Sequence, residues 1–156
     1  MLSAQGWAEL GNFAEAEADL KRLAPALRAH LQVLGVRYEI FARSKRWAEA
    51  AEVATRLVDQ FAHQVGTWVS LAYAVRRKAD GGIPQAREIL TRARALFPTE
   101  SLISYNLACY ECQLGDQAAA WQWLQEAITL GGKKEIKQLA FSDADLQPLW
   151  PRIGGL

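Results

Sequence analysis

A chain of 156 residues, 51% hydrophobic and 22% charged, is long enough to bury a core and too apolar to stay disordered. A formal charge of +1 gives no general reason to bind nucleic acid or an anionic membrane surface. With two cysteines, no signal-like amino terminus and no apolar run of about eighteen residues, the expectation is a cytoplasmic protein without disulfides or a membrane span.

Apolar and small residues recur every three or four positions along most of the chain, which puts them on one stripe of a helix. The first helix is predicted from about Leu2 to Leu10, before Gly11-Asn12, and the second from Phe13 to Leu23. Pro25 lacks an N–H and clashes with the preceding turn, so the next helix should begin at Pro25 or Ala26 and run to Arg43. Another spans Trp47 to Phe61. From Val65 to Phe97 two helices flank the turn Ala79-Asp80-Gly81-Gly82-Ile83-Pro84, where Gly-Gly ends one helix and Pro84 suits the first turn of the next. Leu107 and Ala108 precede the turn Gly115-Asp116, and the helix carrying Ala120, Leu124 and Ala127 stops at Gly131-Gly132. Lys133 to Phe141 reads as amphipathic, with Ile136, Leu139 and Ala140 on one side and Lys133, Lys134 and Lys137 on the rest. Ser142 or Asp143 offers an N-cap to a short helical turn whose Leu146, Leu149 and Trp150 fold back on that cap.

These helices repeat. The small residue opening the second helix of each pair recurs at Ala16, Ala50, Ala86 and Ala120, at intervals of 34, 36 and 34 residues. Four positions on stand Leu20, Ala54, Leu90 and Leu124; three further on stand Leu23, Leu57, Ala93 and Ala127. Alanine at a crossing point lets two helix axes approach closely, while the larger residues fill the space beside it. The string Trp68, Leu71, Ala72, then Ala86, Leu90, Ala93 and Pro98, resembles the tetratricopeptide (TPR) repeat, with its W-x2-L-G…A-x3-F…P pattern over about 34 residues. The resemblance implies an all-α fold: a TPR-type α-solenoid of antiparallel helix pairs in a right-handed superhelix. It covers residues 1–132 in four units, about 1–27, 28–63, 64–98 and 99–132, with 133–156 as a capping helix and folded-back tail. In that frame Met1 falls inside its first helix, so the first unit is truncated. Arg37 and Tyr38 occupy the slots of the family's Leu-Gly pair.

Chemistry is sparse. Cys109-Tyr110-Glu111-Cys112 has redox or metal spacing, but both thiols fall mid-helix, and only His30 and His63 remain as further ligands for a zinc site. They read as small apolar packing residues. No phosphate-loop, dinucleotide or zinc-protease string occurs. The expectation is therefore no catalytic residue, no metal, no cofactor and no enzymatic activity. Trp47, Trp68 and Trp121 read as repeat packing.

What remains is a binding surface. In TPR proteins the first helix of each unit lines a concave groove, and its non-core positions meet the ligand. The resemblance carries this onto Gln32, Gly35, Glu39, Ala42 and Arg43, onto Gly66, Val69, Tyr73, Arg76 and Arg77, and onto Leu102, Tyr105, Cys109, Cys112 and Gln113. The family's Lys-Asn-Arg carboxylate clamp is absent, since its slots hold Gly35 and Glu39, Ser70, and Leu102 and Asn106. The expected peptide-binding set is Arg43, Tyr73, Arg76, Arg77, Tyr105, Asn106 and Cys109, a groove with aromatic rings on its floor and a basic edge. Basic residues in a helix's last turn also complement its dipole and need no ligand for that. The function expected is a scaffold binding a peptide or helix of a partner protein. The alternatives are a module that oligomerises through its open amino-terminal repeat edge, or a small bacterial secretion-type chaperone.

Overall fold

The first two helix pairs are held by alanines and leucines that vanish from the surface. α1 (Leu2–Glu9) and α2 (Phe13–Arg22) meet through Ala4, Ala8, Ala16 and Leu20, with Val33 and Ile40 of α3 (Leu31–Arg43) closing the same cluster. Asn12 caps α2 by accepting a hydrogen bond from the Glu15 N–H. α4 (Trp47–Phe61) packs against α3, and α5 (Val65–Val75) packs against α4. These elements form one compact lobe that ends at Gly81. The coordinates, a computed structural model, describe residues 2–155, with Leu2 described by its backbone alone. Met1 and Leu156, the outer limits of the expected first unit and tail, lie outside the described residues.

The second lobe begins at Gly82. It holds α6 (Ile83–Leu96), α7 (Ser101–Gln113), α8 (Gln117–Gly131), α9 (Lys133–Ser142), a 3-10 segment (Ala144–Leu149) and the short α10 (Trp150–Gly154). Asp116 caps α8 by accepting from the Ala119 N–H at 2.9 Å. Gly131 is required by close approach: a Cβ there would lie 2.7 Å from Ser101 Oγ. Gly132, at φ 91°, takes a left-handed conformation that ends α8. Among the described residues no strand forms. Ala16, Ala50, Ala86 and Ala120 are all fully buried, as helix crossings require.

Three expectations need correction. The helix predicted from Pro25 or Ala26 through Arg43 is broken. Pro25–Ala29 form a 3-10 segment, His30 is extended (ψ 140°), and α3 starts at Leu31. The break is stabilised locally, because the His30 imidazole accepts from the Gln32 N–H and serves as the N-cap of α3. Leu139, expected on the apolar side of α9, is 44% exposed, and only Ile136 and Ala140 are buried there. The tail is longer and more ordered than a single turn. Asp143 caps the 3-10 segment through the Asp145 N–H at 3.0 Å, α10 follows, and Ile153 joins Leu146 and Leu149 in the core.

Candidate functional site

In the amino-terminal lobe, α1, α3 and α5 leave an open side cut by two grooves. The first, about 600 Å³, lies between α1 and α3 and is lined by Gln5, Glu9, Gln32, Gly35, Glu39 and Arg43 among others. A Cβ added to Gly35 would meet no atom within 4 Å, so internal packing does not require glycine there. The second, about 430 Å³, is lined by Tyr38, Glu39, Arg43, Lys45, Trp47 and Tyr73. Glu39 and Arg43 line both, so the two grooves adjoin. Volumes of this size lie in the range of ligand pockets, roughly 300–1,000 Å³.

Several of the cations near this side are already engaged within the lobe. Arg43 donates from Nη1 to the Ala8 carbonyl at 2.7 Å, which also accepts from the Gly11 N–H, and from Nη2 to that of Glu9, at the end of α1. Arg77 stacks 3.5 Å from the Tyr73 ring centroid, 5.5 Å from that of Trp47, and donates to the Tyr73 carbonyl. Trp47 and Tyr73 meet edge to face at 5.8 Å, and Tyr73 remains 42% exposed. Arg46 pairs with both Glu17 and Glu49. Lys78 pairs with Asp80. Arg76 is half-buried at the carboxy-terminal end of α5. Lys45 adopts a left-handed backbone (φ 59°) in the turn after α3, where the corresponding turn after α1 has Gly11 (φ 78°). Glu39 makes no ion pair among the described residues, and it lines both grooves beside Arg43, whose guanidinium is engaged with α1.

The carboxy-terminal lobe differs from expectation. Tyr105 and Cys109, expected on a groove floor, are only 4% and 3% exposed, because the segment after α9 lies across them. The Tyr105 hydroxyl donates to Asp143 Oδ2 at 3.1 Å, and the Cys109 thiol donates to the same oxygen at 3.5 Å. Gln113 Nε2 donates to the Asp145 carbonyl at 3.1 Å. Burial and the neighbouring Cys109 and Asp143 push the Tyr105 hydroxyl well above its ordinary pKa, so it stays protonated and donating. The Cys112 thiol is raised too, chiefly by burial and then by Asp145, which leaves it poorly nucleophilic. Both cysteines are free and buried. Asn106 turns its amide onto the Leu102 carbonyl of its own helix at 2.8 Å. The covering segment is pinned further by Trp150 Nε1, which donates to the Ala140 carbonyl, and by Arg152, stacked 4.0 Å over Trp121. The only hint of this in the sequence was the apolar spacing of Leu146, Leu149 and Trp150, which says that the segment folds back but not onto which helix.

No protein-family model and no curated protein matches the sequence. Solved structures do match. TTC0263, a thermophilic TPR protein of Thermus thermophilus, superposes with a TM-score of 0.69 at 20% identity, over 99% of this chain and 81% of that one. MamA superposes with a TM-score of 0.70 at 15% identity, over 97% of this chain and 90% of that one. The fold is that of a TPR-type repeat. Within that TPR-type frame, Trp68 holds its expected place. It is 6% exposed and donates from Nε1 to the Ala62 carbonyl at 2.9 Å. Tyr38, in a slot where the repeat pattern has glycine, is buried and reaches across to α5, donating to the Ser70 carbonyl at 3.0 Å. No described helix is long and apolar enough to cross a membrane.

Proposed function

We propose that this chain is a non-catalytic interaction scaffold that takes a segment of a partner protein along the open side of α1, α3 and α5. The observation that carries the reading is the pair of grooves adjoining at Glu39 and Arg43, the first of them lined by Gly35, a glycine that no internal contact demands. A mid-helix glycine costs helix stability relative to alanine, and here it leaves room for a partner's backbone to come close. Tyr73 and Trp47 supply exposed aromatic area at one end, of the kind that anchors interfaces. Arg43, Arg76 and Arg77 act in this reading as shaping and rim residues. Tyr105 and Cys109 leave the proposed site, because the chain's own carboxy-terminal segment covers them.

Display of random twelve-residue peptides against the immobilised full chain tests this. Enriched peptides should bind Gly35→Leu, which fills the groove without changing charge, at least about tenfold more weakly, a loss of roughly 1.4 kcal/mol. Peptides that bind parent and variant equally would remove the groove from the site. A second reading has its own observation: α1 exposes Trp7 (38%) and Leu10 lies 79% exposed just beyond it, an apolar edge suited to self-association. Sedimentation velocity of parent and Trp7→Glu decides it. A concentration-dependent oligomer that the variant abolishes would establish that edge as the contact.

A further inference from the structure

Arg37 stands in a slot that the TPR pattern fills with leucine. Around it, between α2, α3 and α4, the fold leaves a cleft of about 390 Å³ that shares no lining residue with the two grooves. One wall is apolar, made by Leu20, Phe41 and Val53. The rest is ionic, and its charges do not balance. Lys21, Arg28, Arg37 and Arg56 face the carboxylates of Glu17, Glu49 and Glu52. Two of those three carboxylates are taken by Arg46, which pairs with both Glu17 and Glu49 while stacking 4.5 Å over the Phe41 ring. With Arg46 counted, five cations face three carboxylates, a net charge of +2.

One of these cations is also held in place. Arg28 is fixed by its own donors, Nε to the Leu23 carbonyl at 2.9 Å and Nη2 to the Lys21 carbonyl at 2.8 Å. Those bonds hold it at the end of α2, where the broken stretch Pro25–Ala29 brings it back to the cleft. Arg37 forms no ion pair among the described residues. Burial, and after it the charges of Arg56 and Arg28, depress its pKa, while Glu17 acts the other way more weakly, so like charges crowd here with too little negative charge among them. Guanidinium groups are forks that match two oxygens of a tetrahedral oxyanion at once.

We propose that the cleft between α2, α3 and α4 is a binding site for a phosphate group, held by Arg28, Arg37 and Arg56. The anion supplies the negative charge that the cleft lacks, and the wall of Leu20, Phe41 and Val53 accepts a small apolar body attached to it. Glu52 opposes the anion and limits its affinity. Against the positive charge that remains once Glu52 is counted, a dianion compensates more than a monoanion does.

The test is thermal denaturation and isothermal titration of the full chain at about pH 7.5, above the second phosphate pKa of roughly 6–7, with sodium phosphate, with phenyl phosphate, and with sodium chloride at matched ionic strength. Matched chloride matters, because salt alone relieves repulsion among the arginines. The expected result is a saturable rise in melting temperature with phosphate and none with chloride. Arg37→Leu restores the residue that the repeat pattern has in this slot, so it should fold at least as well as the parent while binding phosphate about tenfold more weakly or worse. Glu52→Gln should bind more tightly than the parent. A stronger response to phenyl phosphate than to inorganic phosphate assigns the site to an organic phosphoester, and an equal response assigns it to the free ion. The proposal is overturned if chloride reproduces the shift, or if Arg37→Leu responds to phosphate as the parent does.

Discussion

At the scale of single residues, the informative positions are those where the chain departs from its own repeat pattern. Tyr38 shows how such a departure is accommodated. A phenol where a glycine is expected would be left with an unpaired hydroxyl, but the Ser70 carbonyl on α5 receives it. Burial, the largest influence, raises its pKa from the ordinary 10 to about 12. A folded pKa above the unfolded one stabilises fully below pH 10, and that contribution is lost as pH rises towards 12. Tyr38→Phe should therefore lose about 0.5–1.5 kcal/mol near neutrality, the net worth of one hydrogen bond. Its urea midpoint should then fall less steeply than the parent's between pH 10 and 12. Parallel declines in that window would show that Tyr38 is not the titrating group. Arg37, its neighbour, departs in the other direction, placing charge where the pattern has an apolar side chain, and it forms no ion pair among the described residues.

At the scale of elements, legibility followed how local the determining contacts are. The helix from Trp47 to Phe61 was readable to its last residue, because α4 shows a wide apolar stripe: Ala50, Val53, Ala54 and Leu57 all face inwards. The break at Pro25–Ala29 was misplaced. Proline announces a boundary but not the conformation beyond it, and here His30 supplies the next cap. The segment from Asp143 to Ile153 was only half readable. Its apolar spacing showed burial, but its seat on α7 depends on Tyr105, Cys109 and Gln113, more than thirty residues upstream. The open side of α1, α3 and α5 was legible only as a set of positions, since nothing in the sequence shows which arginines are already engaged. Leu146 is the clearest handle on the covering segment, being fully buried. Leu146→Ala should cost roughly 2–5 kcal/mol of local stability. It should also speed alkylation of Cys109 by iodoacetamide, read by peptide mass spectrometry. An unchanged alkylation rate would mean that Asp143 and Trp150 hold the segment without Leu146.

At the scale of the molecule, the fold is shared with TPR proteins at 15% and 20% identity, so the helical packing is retained where most residues differ. A repeat architecture distributes its stability over neighbouring elements. Leu124, fully buried in α8, belongs to such a set. Leu124→Ala should lower unfolding free energy by roughly 2–5 kcal/mol. Hydrogen exchange should accelerate first in α7, α8 and α9. A midpoint in urea unchanged from the parent's would place Leu124 outside the core. The covering of α7 has one more consequence, for competition. Asp143, Asp145 and Leu146 are tethered to the surface they occupy, and a short tether holds its ligand at an effective concentration of millimolar order. Where the tethered segment itself holds α7 with micromolar intrinsic affinity, a free peptide competing for that face binds on the order of a thousandfold more weakly than its contacts warrant. The face around Tyr105 is consequently closed to weak ligands and answers only to one that first displaces the chain's own end.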